Sequence, residues 1–281
     1  MDARHSRSLE PAAMNNELAE KQDRDFVIAL ARGLVILRKF RGRARELGSA
    51  DIAARMGLPQ PTVWRLCNTL LDGGLLARAP GTDKLGVGPA ALRLARSYLT
   101  SKTVLAALRP RIRDLLSRFE GAIIVGARDD RDMTILDRVY RTMFMTPQRI
   151  GARVPIGGSA LGWAYLCGLD EPERLHARAS LPPLQVKAAA PLGAAFDVAL
   201  ARYREDGFVM TRGLLFPEIN AVSVAFPCPD HGEMLAMACV GNSATFDDVL
   251  MGELGRQMCA LLEDLQLCKM RDLPRDVESC E

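Results

Sequence analysis

No run of apolar residues approaches the roughly 18 that a membrane-crossing helix needs, and the charged start MDARHSRSLE lacks the apolar centre of a secretory leader. A membrane or exported protein is therefore not expected, and a cytoplasmic location is. The seven cysteines, Cys67, Cys167, Cys228, Cys239, Cys259, Cys268 and Cys280, form no CxxC pair and mostly fall inside apolar helical or strand patterns. That argues against a zinc ribbon or a dithiol redox motif and leaves reduced, buried thiols. Only three histidines occur, His5, His176 and His231, without carboxylate or metal-ligand spacing around them. Cys228 and His231 are close in FPCPDHGE, but a turn between two strands explains them better than a nucleophile with its base. No catalytic residue, metal or cofactor is assigned.

What is present is a pair of short helical patterns in Ser49 to Asn68, SADIAARMGLPQPTVWRLCN. Ser49 stands where an N-cap belongs, Ile52, Ala53 and Met56 follow with helical spacing, and Gly57, Leu58 and Pro59 make a turn. Pro61 suits the first turn of the next helix, and Val63, Leu66, Cys67 and Leu70 form its core stripe. Gln60, Thr62, Trp64, Arg65 and Asn68 take the other face. This is a helix-turn-helix, although two helices packed this way also occur without DNA.

The surroundings favour DNA. Gly73 and Gly74 stop the second helix, and Leu75 to Ala79 can pair with Lys84 to Val87 across Pro80-Gly81-Thr82-Asp83, the hairpin of a winged helix. Between Asp25 and Thr100, twelve basic residues face five acids, a net +7 against +3 for the whole chain. Positive charge is thus concentrated where a phosphate backbone would meet it, with Arg78 and Lys84 on the hairpin. Before this motif, residues 1–24 read as a mobile tail. From Asp25 a helix with Phe26, Ala29, Leu30, Leu34, Leu37 and Phe40 on one face runs to Lys39 or Phe40, and RGRARELG follows as a basic loop.

ALARGLVILRKF, ADIAARMGLPQPTVWRLCNTLLDGGLL, the hairpin and LGVGPAALRLA together resemble the DNA-binding domain of the IclR family of transcriptional regulators. Trp64 departs from that pattern, standing where the family commonly has His or another polar residue. Facing a duplex, it would offer an apolar edge to a thymine methyl and one indole N–H to a phosphate.

Pro89 to Ser101 reads as a linker helix and Val104 to Phe119 as a second helix whose pattern Pro110 interrupts. With no Gly/Ser-rich spacer between them, the connection is either a stiff transmitter or a plain spacer. From Gly121 the period becomes that of strands. AIIVGAR and MTILDRVY flank the acidic turn at Asp129 to Asp132, and later strands are expected at Phe208 to Thr211, Ala221 to Phe226 and Met234 to Val240. Helices are expected at Ser159 to Cys167, Leu192 to Glu205 and Asp247 to Lys269. The fold class is α+β, with a mostly antiparallel sheet in the second domain. ARVPIGGSALGWAYLCGL, LARYREDGFV, EINAVSVAF and EMLAMACVGN resemble the effector-binding domain of the same family, which implies a GAF-like fold. The expected organisation is a tail at 1–24, a winged helix-turn-helix at 25–88, a linker helix at 89–103, an effector domain at 104–272 and a tail at 273–281.

Pro155 to Gly162 is a glycine-rich turn opening a helix, hospitable to a small carboxylate, but not a P-loop because no Gly-Lys-Ser/Thr follows. Tight packing explains the glycines as well as a ligand does. The resemblance implies an effector pocket over this loop, which puts Gly158, Ser159, Ala160, Leu161, Leu214, Asn220, Ala221, Ser223, Ala238 and Val240 at the site. Its few polar groups point to a small, largely apolar or aromatic organic acid, or to a pocket that has lost its ligand. The expected DNA contacts are Ser49, Gln60, Pro61, Thr62, Trp64, Arg65, Asn68, Arg78 and Lys84. A double-stranded operator, a small-molecule effector and a homodimer are the expected partners, with no membrane. The dimer contact is expected on Phe26, Leu30, Leu37 and the linker helix, and the resemblance adds pairing into a dimer of dimers. The rival reading is an enzyme or signalling module that merely carries a winged helix.

Overall fold

The computed structural model describes residues 26–40, 46–141, 148–181 and 193–267. The expected tails, the basic residues Arg41, Arg43 and Arg45, and His5, Cys268 and Cys280 lie outside them. The chain divides between Thr100 and Ser101 into two units.

The first unit contains α1 (Ile28–Lys39), α2 (Ser49–Met56), α3 (Gln60–Asp72), β1 (Leu76–Arg78), β2 (Leu85–Val87) and α4 (Pro89–Thr100). Gly48, rather than Ser49, is the N-cap of α2. Asp51 reaches back to accept the Gly48 N–H at 3.1 Å, satisfying a first-turn donor while placing a carboxylate at the positive end of the helix. Gly57 ends α2 with φ 62°, a conformation that favours glycine. Val63 and Cys67 of α3 are fully buried with Ile36, Ile52, Leu76 and Leu85. Leu47, not expected in the wing, adds a third chain to it by exchanging both backbone hydrogen bonds with Leu85 at 2.9 Å. α1 buries Val35 and Ile36, packs Leu37 and Phe40 of the expected apolar face partly against the same core, and leaves Leu30 63% and Leu34 51% exposed.

In the second unit, α5 (Thr103–Leu116) and α9 (Asp248–Asp264) pack on one side of a six-stranded sheet. The strands are β3 (Ala122–Asp129), β4 (Asp132–Tyr140), β5 (Arg153–Pro155), β6 (Val209–Arg212), β7 (Ile219–Pro227) and β8 (Met234–Asn242), in the order β5-β4-β3-β8-β7-β6, with every pairing antiparallel. Contrary to expectation, α5 runs through Pro110 without a break. Pro110 and Ala106 are both exposed, so water can take the Ala106 carbonyl that the missing N–H leaves unpaired. α6 (Ala160–Gly168) lies against β7 and β8. It is apolar all round because the sheet and the helices α7 (Glu171–Ala179) and α8 (Ala194–Asp206) cover it, and Trp163 meets Phe196 edge to face at 5.6 Å. Among the described residues no helix is long and apolar enough to cross a membrane.

Candidate functional sites

α3 buries its Val63/Cys67 stripe and thereby turns Gln60, Pro61, Arg65 and Asn68 to solvent, with Thr62 and Trp64 half-buried beside them. Ser49 is tied to this helix by the Gln60 Nε2 donor, 3.2 Å from its Oγ. The wing brings Arg78 to the same helix, its guanidinium carbon 5.3 Å from the centre of the Trp64 ring. Lys84 is exposed at the wing's turn. All nine residues expected at DNA thus belong to one small unit, none of them fully buried, and α3 has no acid in its first turn to oppose a phosphate.

In the second unit a cavity opens between α6 and the sheet. Its floor follows the strand register: Ile124 pairs with Ala238, and Val240 with Ala221, which in turn pairs with Thr211. Gln148, Val154, Leu214, Leu215, Phe216 and Ile219 complete the wall with Ser159, Ala160 and Leu161. Small side chains on the strands leave the space, and no lining side chain is ionisable. Ser159 is the N-cap of α6, with its hydroxyl fully committed, donating to the Pro155 carbonyl at 2.7 Å and accepting the Gly162 N–H at 3.2 Å. The first-turn N–H groups of Ala160 and Leu161 have no acceptor within the helix. The Trp163 indole N–H donates to the Gly157 carbonyl at 2.7 Å and pins the loop before the helix.

Three residues expected at the cavity lie off its lining. Strand alternation sends Asn220 to the opposite face of the sheet, where its Nδ2 donates to the Phe246 carbonyl at 2.9 Å. Ser223 is fully buried beneath α6 and donates to the Ala160 carbonyl at 2.8 Å. Gly158 is held back in the turn by its N–H bond to Pro155. Conversely, sequence reasoning missed Thr211, a residue only 6% exposed that stands on the cavity wall. The alternation of Val209 and Thr211 opposite Ser223 and Ala221 is the signal that would have found it.

Cys67, Cys167 and Cys239 are buried thiols rather than exposed nucleophiles. Burial raises the Cys167 thiol to about 12 and pushes Cys239 up as well, and the described cysteines form no disulfide. Cys228 lies 3.8 Å from Asp230, whereas His231 bonds Ser101 at 3.0 Å.

The family profile of the IclR helix-turn-helix domain matches residues 29–80, and that of the bacterial transcriptional regulator IclR C-terminal domain matches residues 96–261, more than half of the chain. The chain belongs to the IclR family. The transcriptional repressor IclR of Escherichia coli strain K12 is 26% identical over 188 residues, 65% of this chain and 69% of that protein. The crystal structure of an IclR family transcriptional regulator from Brucella abortus matches with a TM-score of 0.76 at 28% identity, covering 88% of this chain and 94% of that one. An IclR homologue from Microbacterium hydrocarbonoxydans, crystallised with 4-hydroxybenzoate, has the same fold at 18% identity with a TM-score of 0.69, covering 85% and 99%. The IclR relatives are transcriptional regulators and not enzymes.

Proposed function

We propose that this IclR-type regulator binds a two-fold operator through α3 and the wing, and that a small organic acid with an apolar or aromatic body tunes that affinity from the cavity. The observation that carries the ligand class is the lining itself: apolar walls, with polar groups confined to Gln148, Thr211 and the α6 N-terminus. The two first-turn N–H groups and the Thr211 hydroxyl suit a carboxylate or phenol at one end of the ligand. The acid held by the Microbacterium homologue has this character. β7 and β8 line the cavity at one end, and at the other their turn holds residues 101–104 through Asp230, His231 and Glu233. A ligand that shifts the hairpin therefore moves the start of the second unit, and a tenfold change in operator affinity requires about 1.4 kcal/mol of such coupling.

A thermal-shift screen of aromatic and aliphatic acids, with 4-hydroxybenzoate among them, tests the reading. An acid at a hundred times its dissociation constant should stabilise the protein by about 2.7 kcal/mol. Ala160→Trp should abolish the shift by filling the cavity, and Thr211→Val should weaken binding roughly ten- to a hundredfold, the scale of one hydrogen bond to a charged group. A hit unaffected by both substitutions binds elsewhere.

Two-fold operators call for a two-fold protein. The exposed Ile28, Leu30 and Leu34 of α1, with Leu92, Leu94 and Tyr98 of α4, supply apolar surface for the contact. Sedimentation should show a dimer or larger at micromolar concentration, and Leu30→Glu should shift it toward monomer. A wild-type monomer, with and without DNA, would refute the assembly.

A further inference from the structure

Trp64 and Arg78 come from different elements, α3 and β1, yet the guanidinium lies over the indole at 5.3 Å, within the roughly 6 Å over which a cation is attracted to an aromatic face. Arg78 is exposed and forms no ion pair with any described acid. The cation is thus held at the ring while no described carboxylate takes its N–H groups. We infer that Trp64 is a positioning residue for DNA binding, holding Arg78 pre-aimed at a backbone phosphate so that wing and recognition helix act as one contact. The inference rests on the reading that α3 and the wing bind DNA.

The physical reason is the cost of ordering. A free arginine on an exposed strand surrenders rotamer freedom when it grips a phosphate, whereas one already laid on a ring has surrendered part of it beforehand. Stacking uses the π face of the guanidinium, and bidentate phosphate recognition uses its in-plane donors, so the two do not compete. It also changes what Trp64 itself can do. Arg78 lies over the ring, and Trp64 is half-buried, so its work is done through its neighbour rather than by reading a thymine methyl.

The test is a double-mutant cycle on the full chain, titrating a labelled duplex from the region upstream of its own gene by fluorescence anisotropy over a range of salt concentrations. Arg78→Ala should weaken binding about tenfold and lower the slope of log K against log salt by about one, the mark of one lost phosphate contact. Trp64→Ala should weaken binding severalfold when Arg78 is present and almost not at all in the Arg78→Ala background. Trp64→Phe, which keeps a ring, should retain most of the affinity. Losses that multiply in the double variant, or an unchanged salt slope in Arg78→Ala, overturn the inference. Wild-type protein without salt-dependent binding to this DNA would instead remove the DNA reading itself, and the inference with it. A DNA-free measurement separates the two failures. In a Trp163→Phe background Trp64 is the sole indole of the chain, and Arg78→Ala should move its emission to longer wavelength by uncovering the ring. An unmoved spectrum means that the stack does not form in solution.

Discussion

Gly162→Ala is expected to destabilise the second unit by about 3 kcal/mol, the upper part of the range for overpacking. A Cβ at this position would stand 2.0 Å from the Ile156 carbonyl oxygen and 2.3 Å from the Ile156 Cα. Both are backbone atoms, so no side chain can swing aside, and the chain between Pro155 and α6 has to move as a whole. That movement would also strip the Gly162 N–H from the Ser159 hydroxyl and the Trp163 indole from the Gly157 carbonyl, the bonds that fix the cavity's edge. Calorimetry should show the melting temperature of this unit falling by roughly 6–12 °C, given the usual 2–4 °C per kcal/mol for a unit of this size. A change of less than a degree would mean that the loop is not packed as described. The glycines of this turn admitted two explanations in the sequence, tight packing or ligand contact. At Gly162 packing is sufficient.

The strength of local patterns decided how much was legible beforehand. Both helices of the helix-turn-helix, the wing hairpin and most of the sheet follow from periodicity and turn residues, because each is defined among near neighbours in the chain. The N-cap of α2 was misplaced by one residue because Ser49 has the better intrinsic cap chemistry, while Asp51 three residues after Gly48 in fact supplies the bond. The errors at the cavity are of another kind. Asn220 and Ala221 are adjacent, and only the parity of the β7 register decides which of them faces α6. Thr211 escaped because its place on the wall follows from alternation only once β6 is paired with β7 in register, Thr211 against Ala221 ten residues on. The Leu47–Leu85 bridge and the laying of Arg78 on Trp64 are tertiary as well, since neither residue carries a mark of its partner in its own neighbourhood.

Removing Glu233 should cost far more than removing Lys102, although the two form one ion pair. The Lys102 side chain is 1% exposed and that of Glu233 33% exposed, so the ammonium is the group that depends on its partner. Glu233→Ala deprives a buried cation of this carboxylate and should destabilise the unit by about 3 kcal/mol, the lower end for breaking a buried pair. Lys102→Met fills the same space with an apolar chain and leaves a carboxylate that can turn to water, at a cost under about 1 kcal/mol. Around the pair, Asp230 accepts from the Thr103 hydroxyl at 2.6 Å and from the Val104 N–H at 3.3 Å, serving the first turn of α5 from across the fold. The Thr103 hydroxyl, with the Val104 N–H, holds the Asp230 carboxyl below the ordinary carboxylate range. A carboxyl depressed in the folded state stabilises it above the unfolded pKa, and that stabilisation is lost as pH falls through the lower folded value. Wild-type protein should therefore lose stability below about pH 4 more steeply than Asp230→Asn does, and the two Lys102 and Glu233 variants should keep their order in urea unfolding at pH 7. Equal costs for the two, or a larger one for Lys102→Met, would show that Glu233 rather than Lys102 is the partner left in need.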